Sequence, residues 1–421
     1  MKADITKPTT LRRGAVRPAE RALAPDFARG LMLLLIVLSN TTFHLWTADR
    51  GASGWQPVDG SWIDHVVQFS MIIGLDLRVY PLFAFLFGYG MMQLYQRQTA
   101  AGTAPRSAVA LLRRRSLWLI VIGLAHTTLL MAGDIICYYG VLSLALGALF
   151  LGRTDRTLNW WILIGAALLV YTAAEPVVSA LLRGDVTSLG DPGAEPGNLA
   201  YAAGEDNWLT AAGTRLSTGL FVTFAAAPLS LVGGGFLLFL LRFRAARQRI
   251  LEEPADHLPL LRGTALVGIA VGWLGALPAA LAHVGMLDVP DAMQSESGAL
   301  TVLRDVTGNA AGLGYVAALA LFTHWWAGRS TRHGERAVRA VSAVGKRSLS
   351  CYLAHSLLFA PLLAAWGLGL GTHLTSATMA LTGTAVWLVT VFWADALERH
   401  GRRGPMESLL RRLIYRIRPR T

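Results

Sequence analysis

Apolar positions along this chain gather into ten long blocks, near residues 30–47, 79–96, 116–132, 134–151, 158–182, 213–241, 263–284, 305–327, 341–367 and 373–395, separated by polar or charged segments. A helix of about 20 apolar residues crosses a hydrocarbon core of roughly 30 Å. The pattern therefore predicts an all-α, polytopic helical membrane protein with about ten transmembrane helices. Three segments fall outside that rhythm. Residues 1–25 are basic and punctuated by proline, as expected of a disordered cytoplasmic leader ahead of a transmembrane domain over 26–398. Residues 399–421 place Met406, Leu409, Leu410, Leu413, Ile414 and Ile417 at helical spacing with arginines between them, the pattern of a basic amphipathic helix on an anionic inner leaflet. Residues 183–212, rich in Gly, Pro and acid, form the longest outer loop and suit either a lid or a plain solvated loop.

Composition agrees, with 53% hydrophobic and only 15% charged residues. Charge then orients the layout. With both termini cytoplasmic, all of the 38 Lys and Arg lie on the inner side except Arg50, Arg78, Arg183, Arg215 and Arg304. The net charge of +12 is thus mostly a topology signal and calls for no nucleic-acid partner. No small-residue cleavage site follows the first apolar run, so that run is expected to stay as a signal anchor. Cys137 and Cys351 fall in separate apolar blocks and do not form a disulfide framework.

Ionisable groups in hydrocarbon cost several kcal/mol and must meet a partner, a cavity or the interface. Here they converge at one depth. Asn40 and His44 share a face of the first block, four residues apart. His126 lies in the outer half of the third, and Asp134 follows Gly133 at the tight turn into the fourth. Asp64, His65 and Arg78 lie in the stretch Ser61 to Pro81, ahead of the second block's clean apolar run and on its outer side. Each also has a plainer use: Asp134 as a helix cap, His126 as a donor to a backbone carbonyl, Asn40 as packing glue, Arg78 as a snorkelling cation, His355 as a satisfied core histidine.

A carboxylate-flanked histidine can act as general base towards a hydroxyl or amine, or carry an acyl group itself. No histidines recur at metal-ligand spacing, and no Gly-x-Ser-x-Gly elbow appears. On the inner side Arg97, Arg106, Arg113, Arg114 and Arg115 crowd one loop, through positive-inside bias or as a site for the phosphates of a nucleotide-like donor.

Five stretches, "APDFARGLMLLLIVLSN", "RVYPLFAFLFGYGMMQL", "GLAHTTLLMAGDIICYYGVLSL", "GKRSLSCYLAHSLL" and "RRGPMESLLRRLIY", resemble in the same order the motifs of the YeiB-like family of bacterial membrane proteins. That family is similar in turn to the transmembrane acyltransferase superfamily, which includes heparan glucosaminide N-acetyltransferases. The resemblance implies transfer of an acyl group from cytoplasmic acyl-coenzyme A to an acceptor across a bacterial inner membrane. It gives Asn40 an active-site role, and matches the "GLAH" histidine and "GD" aspartate to His126 and Asp134. The catalytic histidine of the glucosaminide enzymes, in the first outer loop, has no counterpart at matching spacing here; His44 is nearest. Cys351 and His355 stand where the family pattern usually has Asn and Gln.

The resulting expectation is an acyl-coenzyme A-dependent O- or N-acyltransferase acting on a cell-envelope or exported acceptor, with no bound cofactor or metal. His126 is expected as base or acyl carrier, Asp134 as its orienting carboxylate and Asn40 as a donor to the developing oxyanion. Arg78, His44, His65, Asp64 and His355 are the acceptor-side candidates; Arg29, Arg113, Arg114 and Arg115 are the donor-side ones. The rival is a proton-coupled transporter or exporter of a small polar solute using the same intramembrane charges. Homo-oligomerisation is open.

Overall fold

The computed structural model describes residues 23–183, 197–232, 235–327, 329 and 332–415. Among them every named element is a helix, with α1 Leu23–Ser39, α2 Trp62–Gly74, α3 Val79–Ala100, α4 Pro105–Leu129, α5 Ile135–Phe150, α6 Asp155–Arg183, α7 Trp208–Phe221 and α8 Ala227–Val232. The series continues with α9 Leu237–Arg247, α10 Leu258–His283, α11 Asp291–Gln294, α12 Ala299–Ala327, α13 Arg332–Lys346, α14 Ser348–Leu363, α15 Ser376–Arg399 and α16 Pro405–Ile414.

Five of these segments are long and apolar enough to cross a membrane, and α2 with α3, bent by 42°, make a sixth if counted as one broken span. The outward faces of α6, α10 and α15 carry Leu163, Leu266, Val267, Leu381, Val389 and Phe392, each more than half exposed. In water such a belt would be unfavourable; in lipid it is the expected surface of a membrane protein.

Several of the ten predicted blocks take another form. In α4 the three consecutive arginines Arg113 to Arg115 leave only Ser116 to Leu129 apolar, too short for a full crossing alone. α5 and α14 are apolar but only 16 residues each. Block 213–241 is broken into α7, a π turn at Val222–Ala226, α8 and the start of α9. Block 341–367 is cut at Arg347, which leaves the helical conformation so that its buried guanidinium can reach Glu398 Oε2 at 2.7 Å. Lys346 joins the same carboxylate at 2.6 Å.

Close crossings rest on small residues, as expected where helix association depends on packing. A Cβ on Gly30 would lie 2.0 Å from the Val341 carbonyl, so α1 and α13 can touch only because glycine stands there. α10 and α12 meet in the same way through Gly268, Gly272 and Ala311.

The predicted leader lies outside the described residues except for 23–25, which already belong to α1. The basic tail is helical over Pro405–Ile414, but it docks on the protein rather than lying only on a surface. Glu407 accepts from the Leu349 and Ser350 amides at 2.9 and 3.1 Å, and Arg114 Nη1 donates to the Ile414 carbonyl at 2.9 Å. The outer loop reading falls largely on residues 184–196, also outside the described residues.

Candidate active site

The tight turn between α4 and α5 builds the centre of the site. His126, in the last turn of α4, takes the Leu130 and Met131 amides on its carbonyl at 2.9 and 3.2 Å, which closes the helix. Thr127 Oγ1 donates to the Ala132 carbonyl at 3.0 Å and pins the turn. Asp134 then caps α5 by accepting the Cys137 amide on Oδ2 at 2.7 Å. Its Oδ1 faces His126 Nδ1 at 2.7 Å. Gly123 makes this approach possible, since a Cβ there would sit 2.4 Å from the Cys137 nitrogen and 2.5 Å from Asp134 Oδ2.

The chemistry of the pair follows from what each atom can do. A carboxylate only accepts, so Nδ1 carries a proton, and in the neutral imidazole Nε2 then holds the lone pair. Both side chains are almost fully buried, and Nε2 has no hydrogen-bond partner among the described residues. A buried, oriented imidazole with an unused lone pair is the arrangement a general base needs. Capping and orienting are thus joint roles of Asp134.

Around the pair, α1, α3 and α14 each present one stripe at helical spacing to a shared path. At one end lies a cavity of about 350 Å³. Arg29, Arg97, Arg115, Lys346 and Arg411 line it beside Phe83, Phe87, Leu119, Ile136 and Tyr352. Beyond Phe83 and Tyr352 lie two cavities of about 10 Å³, each with room for a single water. Asn40 lines both, and His44, His355 and Tyr352 line one of them. Tyr352 therefore belongs to the large cavity and to a small one, and its ring packs on His126 with centroids 5.3 Å apart. Arg29 and Asn40, eleven residues apart along α1, set the length of the path at roughly 16 Å.

An aromatic cluster packs against the α4–α5 turn. The rings of Phe43 and Tyr201 stack at 3.9 Å with Trp55 edge-on, and Tyr201 lies so close to Gly133 that a Cβ there would come within 2.8 Å of its ring.

The acceptor-side candidates separate into three places. His44 and His355 line one small cavity with Asn40 and Tyr352; His355 Nε2 donates to Thr390 Oγ1 at 3.1 Å, because that hydroxyl spends its own proton on the Trp387 carbonyl. Arg78 does not join. It is fully buried elsewhere, donating to the Gly272 carbonyl at 2.8 Å and to the Asp76 carbonyl, in a network with Asp76, Arg304 and Asp305 that ties α3 to α10 and α12. Asp64 is structural too, binding the Ser61 amide and hydroxyl and the Ala377 amide at 2.8, 2.7 and 2.8 Å. His65 is half-buried, with Nε2 3.4 Å from the Val58 carbonyl, away from the centre. Sequence position alone merged these groups because it fixes depth along a helix, not the face it shows its neighbours.

The donor-side candidates divide as well. Arg29 lines the large cavity, paired with Asp26 at 3.1 Å, and Arg115 lines it with its guanidinium 4.8 Å above the Phe87 ring. Arg114 is spent on α16, and Arg113 is exposed outside the lining. Sequence reasoning missed Lys346, Arg411, Glu407, Tyr415 and Tyr352. Burial at the cavity rim raises the Tyr415 phenol above its ordinary pKa, with Arg411 and Arg115 pulling the other way. For Tyr352 the available signal was the 348, 349, 352, 355, 356, 359 stripe of α14.

A family model described as a protein of unknown function (DUF418) matches residues 245–417. The uncharacterized protein YxaH of Bacillus subtilis (strain 168) is 26% identical over 351 residues, covering 79% of this chain and 78% of that one. No solved structure matches. These similarities are consistent with the YeiB-like resemblance, and the matched region carries α10 to α16, including Tyr352 and His355.

Proposed function

We propose that the protein is a membrane acyltransferase that moves an acyl group from acyl-coenzyme A to a hydroxyl or amine of an envelope or exported acceptor. The observation that carries this reading is the buried His126–Asp134 pair, with Nε2 unpartnered among the described residues, one tyrosine away from a cavity that is basic at one end and apolar at the other. A phosphorylated head suits Arg115 and Arg411, while an acyl chain suits Phe83, Leu119 and Ile136.

In the proposed step the acceptor oxygen or nitrogen attacks the thioester carbon as His126 Nε2 takes its proton, and Asp134 steadies the imidazolium. The new bond to the acyl carbon forms; the carbon–sulfur bond then breaks. The thiolate leaves with the proton returned by His126. Asn40, His44 and His355 line the side from which the acceptor arrives, and Asn40 offers it an amide.

The same reading assigns ten crossings with both termini in the cytoplasm of a bacterial inner membrane. The crossings are α1, α2 with α3, α4 with its Arg113–Arg115 end at the inner interface, α5, α6, the broken α7–α9 segment, α10, α12, α14 and α15. The positive-inside count supports that orientation, and it puts the basic cavity where coenzyme A is made available.

The test is thiol release from acetyl-, propionyl- and longer acyl-coenzyme A by the protein in nanodiscs, with a bacterial envelope extract as acceptor source. Release that disappears in a folded His126→Ala variant supports the reading. Absence of release together with absence of acyl-coenzyme A binding refutes it.

A further inference from the structure

Tyr352 occupies the junction between the basic cavity and the small cavity lined by Asn40, His44 and His355, with its ring against His126, and three observations fix what it can do there. It lines both cavities although it is only 5% exposed. Its ring packs on His126 at 5.3 Å with the planes tilted by 55°. Its hydroxyl accepts a hydrogen bond from the Ile135 amide at 3.4 Å, the first residue of α5 after the Asp134 cap.

A phenol that accepts from an amide still has its own proton to give. Among the described residues no acceptor takes it. The hydroxyl therefore sits at the positive end of α5, held by a backbone donor, with an unspent O–H on the ring that both lines the basic cavity and packs on His126. Asn40, the residue expected from the sequence to serve an oxyanion, lines only the two small cavities beyond this junction.

We infer that Tyr352 is the oxyanion donor of the acyl transfer, giving its hydroxyl hydrogen to the thioester oxygen as the tetrahedral centre forms. The inference rests on the acyltransferase reading. The phenol keeps its O–H bond throughout: it donates a hydrogen bond while charge accumulates on the oxygen, and that bond weakens again when the carbonyl re-forms and the thiolate departs. The proton that moves is the acceptor's, carried by His126. A preorganised, buried donor contributes to the transition state more than to the bound thioester, because the charge it meets exists only there.

Tyr352→Phe isolates this role. Phenylalanine keeps the ring against His126 and the lining of both cavities, and removes only the hydroxyl. In full-length protein in nanodiscs, with acetyl-coenzyme A and the envelope extract, kcat for thiol release is expected to fall about 100- to 1000-fold. Free coenzyme A should bind within twofold of wild type, and the thermal midpoint should fall only by what one long hydrogen bond to the Ile135 amide contributes, less than in Tyr352→Leu. Tyr352→Leu, which also removes the ring, should lose activity to at least the same degree and lower the thermal midpoint, separating packing from hydrogen bonding. A Tyr352→Phe variant with kcat within threefold of wild type, while His126→Ala is inactive, overturns the assignment and leaves the acyltransferase reading in place. A loss confined to coenzyme A affinity or to thermal stability overturns it as well. Wild-type protein with no His126-dependent thiol release overturns both together.

Discussion

Asp134→Asn is the most informative single substitution, because the side chain does two things that an amide can only half reproduce. Two N–H groups converge on the carboxylate, Cys137 N on Oδ2 and His126 Nδ1 on Oδ1, both at 2.7 Å. An asparagine brings one oxygen and two donor hydrogens, so one of the two bonds must fail. Asparagine caps helices about as well as aspartate, and His126 can relieve a facing NH₂ group by moving its proton to Nε2. The helix end is therefore expected to survive while the histidine changes tautomer and loses its basic lone pair. Thermal stability should stay within about 1 kcal/mol of wild type. Turnover should fall further than the 1.5–3 kcal/mol of a charged hydrogen bond, about 10- to 150-fold, would give. Reversal of the tautomer in a Ser-His-Asp triad costs about 10⁴-fold, and a loss of about 10³ to 10⁴ is expected here. Asp134→Ala removes both bonds. It should cost about 1 kcal/mol for the cap and about 1–3 kcal/mol for a buried donor left unpaired, roughly 2–4 kcal/mol together. The assay pairs thermal unfolding in nanodiscs with thiol release from acetyl-coenzyme A. An asparagine variant with wild-type turnover would show that His126 is not the base. An alanine variant as stable as wild type would refute the capping geometry itself.

Two further substitutions probe the walls of the site. Glu407→Ala leaves the Leu349 and Ser350 amides at the start of α14 without their carboxylate partner, a loss of about 1–2 kcal/mol. Cys351, fully buried two residues on, should then react with maleimide about 5- to 30-fold faster, and an unchanged labelling rate would show that α16 does not hold this end of α14. Arg78→Ala removes the buried guanidinium that binds the Gly272 carbonyl, so stability should drop by about 3 kcal/mol. Because Arg78 stands apart from the basic cavity, coenzyme A affinity should not change; a large affinity loss without a stability loss would put Arg78 back in the ligand site.

Much of the site was visible as residue types before their arrangement was. His126 and Asp134 stood out because polar groups are costly in an apolar block, and they lie eight residues apart across a turn too short to separate them. Asn40 and His44 followed from i,i+4 spacing on one helix. Arg78 and Asp64 stood out for the same energetic reason, yet the first is spent on a helix-to-helix network and the second on two helix starts. Cost identifies a group that must have a partner. It does not distinguish a substrate from a carbonyl on α10.

The sequence by itself determined that the chain is helical and membrane-embedded and that a histidine and an aspartate lie at one tight turn, because apolar block length, charge and local spacing are properties of the chain alone. Only the tertiary structure decided that α16 roofs a basic cavity, that Arg347 breaks a predicted span to reach Glu398, and that Tyr352 lines two cavities while its ring packs on His126. Those outcomes depend on which faces of distant helices meet. Small residues such as Gly30 and Gly123 set those faces by letting backbones approach where any Cβ would collide.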